Sequence, residues 1–277
     1  MRLVVIIPCY GREELTATVL GDIWREADNG SEEIDVQVVD NKGSYESHGR
    51  ERVYCSGQDL GWLGGTNAGL RQTEGQGYDA YVLMNNDVRL SRGFFTGLIR
   101  AQKLTKAGLL TPAYDATLGH MRLPYRGPAD QYKPKRRHWT SPMIDGTCMY
   151  VPAPVRDKIG LLDEQFLPYG WGAEIDYSFR VWDAGMPVVV TALAYMNHQQ
   201  GSTYESLYGK SYHQEASETG RRVLREKYGT GSRGWGPRSG LNEETETTEP
   251  LTERQRLIMT LKAEAGARFG GSDPAKG

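Results

Sequence analysis

Several features are scarce or missing in this sequence, and each absence narrows the class of protein. The three cysteines, Cys9, Cys55 and Cys148, form no CxxC pair, which favours a reducing compartment. No apolar run approaches the about 20 residues of a transmembrane helix, and the N-terminal run stops at Pro8, too early for a signal peptide. The formal net charge is only −2, so no general attraction to nucleic acid is implied. We therefore expect a cytoplasmic protein, with at most a peripheral contact to the inner face of a membrane.

Two common nucleotide-binding signatures are also missing. The first predicted strand leads into PCYGRE and not into G-x-G-x-x-G, which argues against a Rossmann dehydrogenase. The glycine-rich stretch QDLGWLGGTNAGL lacks the lysine of a GxxxxGK[ST] loop, so it is not a P-loop. The 34 glycines cluster instead at the ends of apolar runs, where backbone turns tightly or approaches a ligand.

The chain does have a regular alternation of apolar runs and amphipathic segments, which predicts a parallel, doubly wound α/β sheet. Residues 113–140 interrupt it and are predicted to form a long loop with a basic stretch, QYKPKRRHW. Strands are predicted at 3–7, 34–39, 53–55, 80–84, 108–112, 144–151 and 187–191, and helices at 13–26, 68–73, 94–106, 155–159, 177–184 and 211–228.

The composition changes after Gly229, where few apolar residues remain. Residues 230–250 are predicted to form a flexible linker. Residues 251–277 begin with a capping-box pattern, TERQ, which predicts a short C-terminal helix and tail. One domain is therefore expected over residues 1–229.

Polar side chains follow several predicted strands, and strand ends in open α/β sheets line one ligand crevice. Asp40 ends the second strand and could accept a hydrogen bond from the imide N–H of uracil or thymine. Tyr10 follows the first strand and could stack on such a base. The alternative for Asp40 is a simple turn, since Asp, Asn and Gly favour turns for backbone reasons.

The fourth strand runs directly into Asn85, Asn86 and Asp87 within YVLMNNDVRL. A carboxylate at a strand end suits Mg²⁺ or Mn²⁺, which take oxygen ligands from one or two carboxylates and from substrate phosphates. The alternative is again a turn.

The segment WGAEIDYSFRVWDAG has two interpretations. Glu174 would lie in the first turn of a helix, where the dipole favours negative charge, and Asp176 could pair with Arg180 at i,i+4. This describes either an ordinary acidic N-terminal turn or a catalytic carboxylate followed by a structural one. His198 follows the last predicted strand and is either a metal ligand or an ordinary histidine.

In their order along residues 3–228, these motifs resemble the family 2 inverting nucleotide-sugar glycosyltransferases, which include rhamnosyl-, galactofuranosyl- and glucosyltransferases. The resemblance implies a GT-A fold: an α/β domain with a Rossmann-like, mostly parallel sheet flanked by helices, and a C-terminal tail after a single catalytic domain. The matching segments are IIPCYGREEL, VVDNKGSYES, DLGWLGGTNAGL, LMNNDV, GTCMYVPAPVRDKIGLLDEQF, WGAEIDYSFRVWDAG and His198.

The resemblance also implies roles for individual residues. Glu174 matches the general base, with Asp176 as the second carboxylate of the catalytic motif, and Asp87 and His198 match the ligands of Mn²⁺ or Mg²⁺. The acceptor side would be formed by Asp145, Gly146 and Trp171. The donor would be bound by Pro8, Tyr10, Glu13, Asp40, Gly64, Gly65, Asn67, Asn85 and Asn86.

The sequence thus predicts a metal-dependent inverting hexosyltransferase. It would move a sugar from a UDP- or dTDP-sugar, whose bases share one imide edge, to a hydroxyl of a glycan, lipid-linked or protein acceptor. Ala173 stands where the family has an acid before the base, which motivates a second hypothesis, a non-catalytic nucleotide-sugar or glycan-binding module. A nucleotidyltransferase is a third, although the basic glycine-rich opening motif of such enzymes is missing near the first strand.

Overall fold

The computed structural model of the chain describes residues 1–115, 121–199 and 211–229. The strands are β1 (Arg2–Cys9), β2 (Glu33–Asp40), β3 (Arg52–Cys55), β4 (Ala80–Met84), β5 (Val88–Leu90), β6 (Leu109–Tyr114), β7 (His138–Thr140), β8 (Cys148–Pro152) and β9 (Val188–His198). The helices are α1 (Glu13–Asn29), α2 (Gly61–Gln72), α3 (Phe94–Thr105), α4 (Ala153–Ile159), α5 (Ala173–Asp183) and α6 (Ser211–Tyr228).

The strands form one sheet in the order β3-β2-β1-β4-β8-β6-β9-β5, with β7 also paired to β9. The β3-β2-β1-β4 part is parallel, and its central strand is buried on both faces, with the five side chains of Leu3–Ile7 at 0% exposure. From β1, the chain first adds β2 and β3 on one side and then crosses over to place β4 on the other side of β1. Such a switch point opens a crevice at the carboxyl ends of the strands.

The other part of the sheet is mixed, which corrects the expectation of a parallel, doubly wound sheet. Strand β8 lies between β4 and β6 and is antiparallel to both, while β5 and β7 are antiparallel to β9. Because β8 runs backwards, its first residues lie at the sheet edge where β4 and β6 end. Residues just before β8 therefore face the same crevice as the strand ends.

Helix α2 begins at Gly61, well before the predicted start at Ala68. Glycine has low helix propensity, so the sequence favoured a loop, but packing determines the outcome. A Cβ on Gly69 would lie 2.3 Å from Ile6 Cγ2, so the helix approaches β1 closely only because this side chain is missing.

Two further boundaries differ from the prediction and matter for the site. Strand β9 continues to His198, so this histidine belongs to the sheet. Helix α5 begins at Ala173, after Gly172 with φ of +98°. A Cβ at Gly172 would also lie 2.9 Å from the Phe166 ring. The predicted linker and C-terminal helix lie outside the described residues, and none of the helices in the described ranges is long and apolar enough to cross a bilayer.

Candidate functional site

The sheet edge that carries the carboxyl ends of β4, β6 and β9 gathers five ionisable side chains. They come from the residue before β5, the residue after β6, the end of β9, the segment before β8 and the first turn of α5. The five are Asp87, Asp115, His198, Asp145 and Glu174.

Asp87 and His198 form a close pair at the centre of this edge. Val88, the first residue of β5, is directly opposite His198 in the antiparallel β5–β9 pair, which brings Asp87 beside the imidazole. His198 Nε2 lies 3.3 Å from Asp87 Oδ1, and the two side chains are 14% and 12% exposed. Burial lowers the pKa of His198, but its hydrogen bond and charge interaction with Asp87, together with Asp145 and Asp115, raise it more, so the net shift is upward.

Asp115 holds the end of β9 in place. Its Oδ1 accepts the backbone N–H of His198 at 2.9 Å and its Oδ2 accepts Asn197 Nδ2 at 3.1 Å. The sequence did not single out Asp115, because it follows β6 within a stretch predicted to be a long loop. Its position after the apolar run LLTPAY was the available signal.

The side chains at this edge suit a divalent cation that takes further ligands from a substrate. Within the described ranges, no group of three or more His, Cys, Asp and Glu side chains is arranged to hold a metal, so a full protein cage is not formed there. One carboxylate and one imidazole suit a cation that completes its shell with substrate oxygens, and imidazole suits Mn²⁺ better than Mg²⁺. Asn85 Oδ1 is buried at the same strand end and meets no hydrogen-bond donor among the described residues, which adds an unused oxygen. Asp87 and His198 fit such a cation.

Glu174 is placed in the first turn of α5 and is only partly exposed. Its Oε2 accepts the backbone N–H of Gly172 at 3.1 Å. Burial, with a further contribution from the charge of Asp145, raises the pKa of Glu174 to about 8. Burial also raises the pKa of Asp145, against the stabilising N–H of Thr147 at 3.0 Å from its Oδ1. Glu174 therefore has the raised basicity that a general base needs.

Asp176 lies in a different environment, and its predicted place in the catalytic pair needs correction. It is 0% exposed, and its Oδ2 accepts Arg180 Nε at 2.8 Å while its Oδ1 accepts the Tyr228 hydroxyl at 2.6 Å. Lys227 also pairs with it. Both oxygens are committed to α5 and α6, so Asp176 anchors the helix and does not face an acceptor.

Asp40 adopts the turn that was the alternative to base binding. Its two carboxylate oxygens accept the backbone N–H groups of Lys42 and Tyr45, both at 2.9 Å. The side chain is 2% exposed. Tyr10 lies nearby on the neighbouring strand end and is half-buried. The base-binding roles of Asp40 and Tyr10 stay predictions.

Most of the predicted donor loop, QDLGWLGGTNAGL, belongs to helix α2. Its glycines and Asn67 contact different parts of the molecule. Gly65 is packed so that a Cβ would lie 3.0 Å from Pro8 Cβ and 3.1 Å from Asn41 Nδ2, whereas a Cβ on Gly64 would lie 3.0 Å from Leu60. Asn67 is fully buried, and its amide bonds to the backbone N–H and C=O of Leu162 and to Glu164. Asn67 therefore joins α2 to the segment before α5, and its predicted donor contact is replaced by a structural one.

The remaining predicted residues border the crevice. Asn86 donates from Nδ2 to Thr16 Oγ1 at 3.0 Å, and Glu13 is the partly buried first residue of α1. Gly146 lies against the Trp62 ring, and Trp171 is 5.4 Å from the His213 ring, centroid to centroid.

Comparison with known proteins found matching mycobacterial relatives, among them the uncharacterized proteins Rv1525 of Mycobacterium tuberculosis and Mb1552 of Mycobacterium bovis. Each is 32% identical over 229 residues, which cover 82% of this chain and 85% of the relative. This chain belongs to their family. No family model matches the sequence.

This chain shares its fold with a solved structure. The structure of GalNAc-T7 with UDP, GalNAc and Mn²⁺ matches with a TM-score of 0.57 at 15% identity. The match covers 96% of this chain and 55% of that chain, so this chain spans about half the length of the neighbour. At this identity the likeness establishes the fold alone, and it confirms the predicted GT-A class, with an α/β sheet flanked by helices.

Besides Asp115, the sequence analysis missed two residues of the site, Asn41 and Trp62. Asn41 donates from Nδ2 to Gly61 O at 3.0 Å, while its Oδ1 is buried and meets no donor in the described ranges. Trp62 follows at the start of α2. Both occur in quoted motifs, VVDN and DLGW, but nothing in a one-dimensional pattern shows that these side chains keep unused polar atoms.

Proposed function

We propose that the protein is an inverting glycosyltransferase of the family 2 type that uses a UDP- or dTDP-sugar, a divalent cation and a hydroxyl acceptor. The observation that carries the proposal is the Asp87–His198 pair, 3.3 Å apart, on the same sheet edge as Glu174, whose pKa is raised to about 8. A cation-binding pair and a basic carboxylate are the two groups that such a transfer requires.

Each group has a distinct task in this proposal. A divalent cation held by Asp87 and His198 would neutralise the charge that develops on the diphosphate leaving group. Glu174 accepts the proton of the attacking acceptor hydroxyl, while the Gly172 N–H fixes the orientation of its carboxylate. The hydroxyl attacks opposite the leaving group in a single displacement, so the anomeric configuration inverts and no enzyme nucleophile is needed.

The absence of an acid at position 173 is the main argument against catalysis, and the fold makes this argument weaker. Ala173 is 0% exposed and belongs to the core, so its methyl group occupies a packing position and not a place in the crevice. The non-catalytic binding module stays the second hypothesis, and the nucleotidyltransferase the third.

A panel of nucleotide sugars with Mn²⁺, scored by release of nucleoside diphosphate, tests the proposal. We expect release with one UDP- or dTDP-sugar in the wild type and background release in Glu174→Gln. Binding of a nucleotide sugar without release would establish the binding module. Release of pyrophosphate from a nucleoside triphosphate and a sugar phosphate would establish the nucleotidyltransferase.

The setting of the activity is also part of the proposal. Cys9, Cys55 and Cys148 are all free thiols, which supports a reducing, cytoplasmic compartment. The acceptor would be a glycan, a protein or a lipid-linked molecule reached at the inner membrane face. No nucleic-acid partner is proposed.

A further inference from the structure

Trp62 occupies an unusual place beside the proposed catalytic residues. It is the second residue of α2, and its indole lies between two glycines from different parts of the chain. A Cβ on Gly146 would lie 2.5 Å from Trp62 Cζ2, and one on Gly170 would lie 3.4 Å from Trp62 Cε3. Gly146 directly follows Asp145, and Gly170 precedes the turn that holds Glu174. The ring is therefore fixed next to both buried carboxyl segments.

The polar atom of this ring is unused. Trp62 Nε1 is buried and meets no hydrogen-bond acceptor among the described residues. A buried N–H without an acceptor costs free energy, and an indole N–H can only donate. The atom is bonded to Cε2, which would lie 3.2 Å from a Gly146 Cβ, so it is on the Gly146 side of the ring. A phenylalanine would fill nearly the same space between the glycines without this cost.

We infer that the Trp62 N–H donates a hydrogen bond to a hydroxyl of the transferred sugar and so helps to select the donor. The inference rests on the proposed function. In that function the diphosphate lies at Asp87 and His198, the attacked carbon lies near Glu174, and the base lies at the β1 and β2 ends. Trp62 is fixed at the Glu174 end, where the ligand oxygens are those of the sugar.

The other buried polar atoms of the crevice support the assignment of Trp62 to a ligand. Asn41 Oδ1 and Asn85 Oδ1 are buried and meet no donor among the described residues; they follow β2 and β4, which lie on either side of β1. Both are acceptors, which suit hydroxyl or imide donors, whereas Trp62 Nε1 is a donor. A sugar carries hydroxyls that accept as well as donate, so it can satisfy both kinds of atom at once.

The test compares Trp62→Phe with the wild type and with Trp24→Phe. Trp24 lies under Arg50, 4.4 Å from the guanidinium carbon, on α1 and outside the site, so it controls for the loss of an indole elsewhere. The probes are UDP and dTDP, and whichever of UDP-glucose, UDP-galactose, dTDP-glucose and dTDP-rhamnose binds the wild type most tightly. Affinities are measured by calorimetry with Mn²⁺.

We expect Trp62→Phe to weaken binding of the nucleotide sugar about tenfold, the usual worth of one neutral hydrogen bond. Binding of the nucleoside diphosphate should change less than about twofold, because that part of the ligand does not meet the indole. In ¹⁵N-indole-labelled wild type, the resonance missing from Trp62→Phe should shift when the nucleotide sugar is added and stay in place with the diphosphate. Gly146→Ala keeps the N–H but displaces the ring, and it should weaken nucleotide-sugar binding as well.

Three results would overturn the inference. Equal weakening for diphosphate and nucleotide sugar would move the hydrogen bond to the diphosphate. Unchanged affinity for both, with an unshifted resonance, would leave Trp62 a packing residue although the proposed function survives. If none of the nucleotide sugars binds the wild type, the proposed function fails and this inference fails with it.

Discussion

Glu174 and Asp176 are two residues apart on α5, yet their surroundings differ in charge. Glu174 is partly buried beside another carboxyl, Asp145, whereas Asp176 is enclosed by cationic and hydroxyl donors from Arg180, Lys227 and Tyr228. The environment of Glu174 favours a bound proton, whereas the groups around Asp176 hold its carboxylate through ion pairs and hydrogen bonds. This difference supports the proposed role of Glu174 as the proton acceptor and a structural role for Asp176.

Glu174→Gln is the substitution that tests the proton acceptor. It keeps the shape and most hydrogen bonding but removes the basic oxygen, so turnover should fall by about 10²–10⁴-fold. Donor affinity should barely change, because the lost interaction acts on the acceptor proton in the transition state. Asp176→Asn is the matched control: it should lower the free energy of unfolding by about 2 kcal/mol, through lost charged hydrogen bonds. A larger loss of turnover in Asp176→Asn at unchanged stability would contradict both assignments.

The raised pKa of Glu174 predicts a pH dependence for the proposed reaction. A base works deprotonated, so turnover should decline as the pH falls below about 8, and this acidic limb should vanish in Glu174→Gln and persist in Asp176→Asn. The free energy of unfolding changes with pH in the opposite direction to turnover. Between its ordinary pKa and about 8, the folded state holds a proton that the unfolded state has lost, so Glu174 reduces stability as the pH rises. Glu174→Gln should therefore gain stability relative to wild type at pH 8, measured by thermal unfolding.

Asp87→Ala tests the cation pair. A carboxylate that is 12% exposed beside His198 serves a ligand more than the core, so the variant should fold but lose Mn²⁺-dependent binding of nucleoside diphosphate. Asp28→Ala is the control, since Asp28 pairs with Arg50 on the surface with 59% of its side chain exposed. Wild-type affinity in Asp87→Ala, measured by calorimetry with UDP or dTDP and Mn²⁺, would show that the cation is held elsewhere.

Among the helices and strands, the sequence predicted those whose pattern of apolar residues is enough to define them without distant partners. Strand β4 has the predicted bounds, and α1, α3 and α6 begin where they were expected. The errors occur where partners distant in sequence decide the structure. β5 and β7 are three residues long and exist because β9 pairs with them, and the glycines of α2 are helical because they fit against β1.

The same limit applies to the site. The placement of Asp87, Glu174 and His198 could be predicted, because each sits at a strand end or helix start within a recognisable motif, and their roles stay predictions. The structural contacts of Asp176 and Asn67 could not be predicted in this way. Their hydrogen-bond partners, Tyr228 and Leu162, are 52 and 95 residues away in the sequence.

The basic segment before β7 allows a prediction about the acceptor. Lys135 donates its backbone N–H to Ala192 O at 2.8 Å, so the segment runs beside β9, roughly 20 Å from His198 at the usual rise per residue. Only a long or membrane-bound anionic acceptor would span that distance. Neutralising Lys133, Lys135, Arg136 and Arg137 together should raise the acceptor KM and spare donor affinity.

The control for this charge change is on α6, where Arg221, Arg222 and Arg225 are exposed. Neutralising them should leave the acceptor KM unaltered. Unchanged acceptor kinetics in the β7-side variant would mean that its charges are only solvated.

At the scale of the whole molecule, we propose that residues 1–229 form one folding unit. Helix α6 contributes the buried side chains Val223 and Leu224 and the two groups that contact Asp176. A chain ending at Gly229 should therefore unfold cooperatively and bind donor as the full chain does. A chain ending at residue 210 should be less stable, since Asp176 loses Lys227 and Tyr228. Thermal unfolding of the two chains checks this, and loss of a cooperative transition in the longer one would extend the domain into residues 230–277.

The contact between Tyr228 and Asp176 also has a consequence for how the protein is made. The ribosome releases α5 well before α6. During synthesis the carboxylate of Asp176 therefore lacks its hydroxyl partner, Tyr228, which is 52 residues downstream. Until residue 228 has emerged, α5 lacks the contacts that Lys227 and Tyr228 make with Asp176. A nascent chain that ends before residue 227 therefore holds Asp176 through Arg180 of its own helix, and the support that α6 gives to α5 comes late in translation.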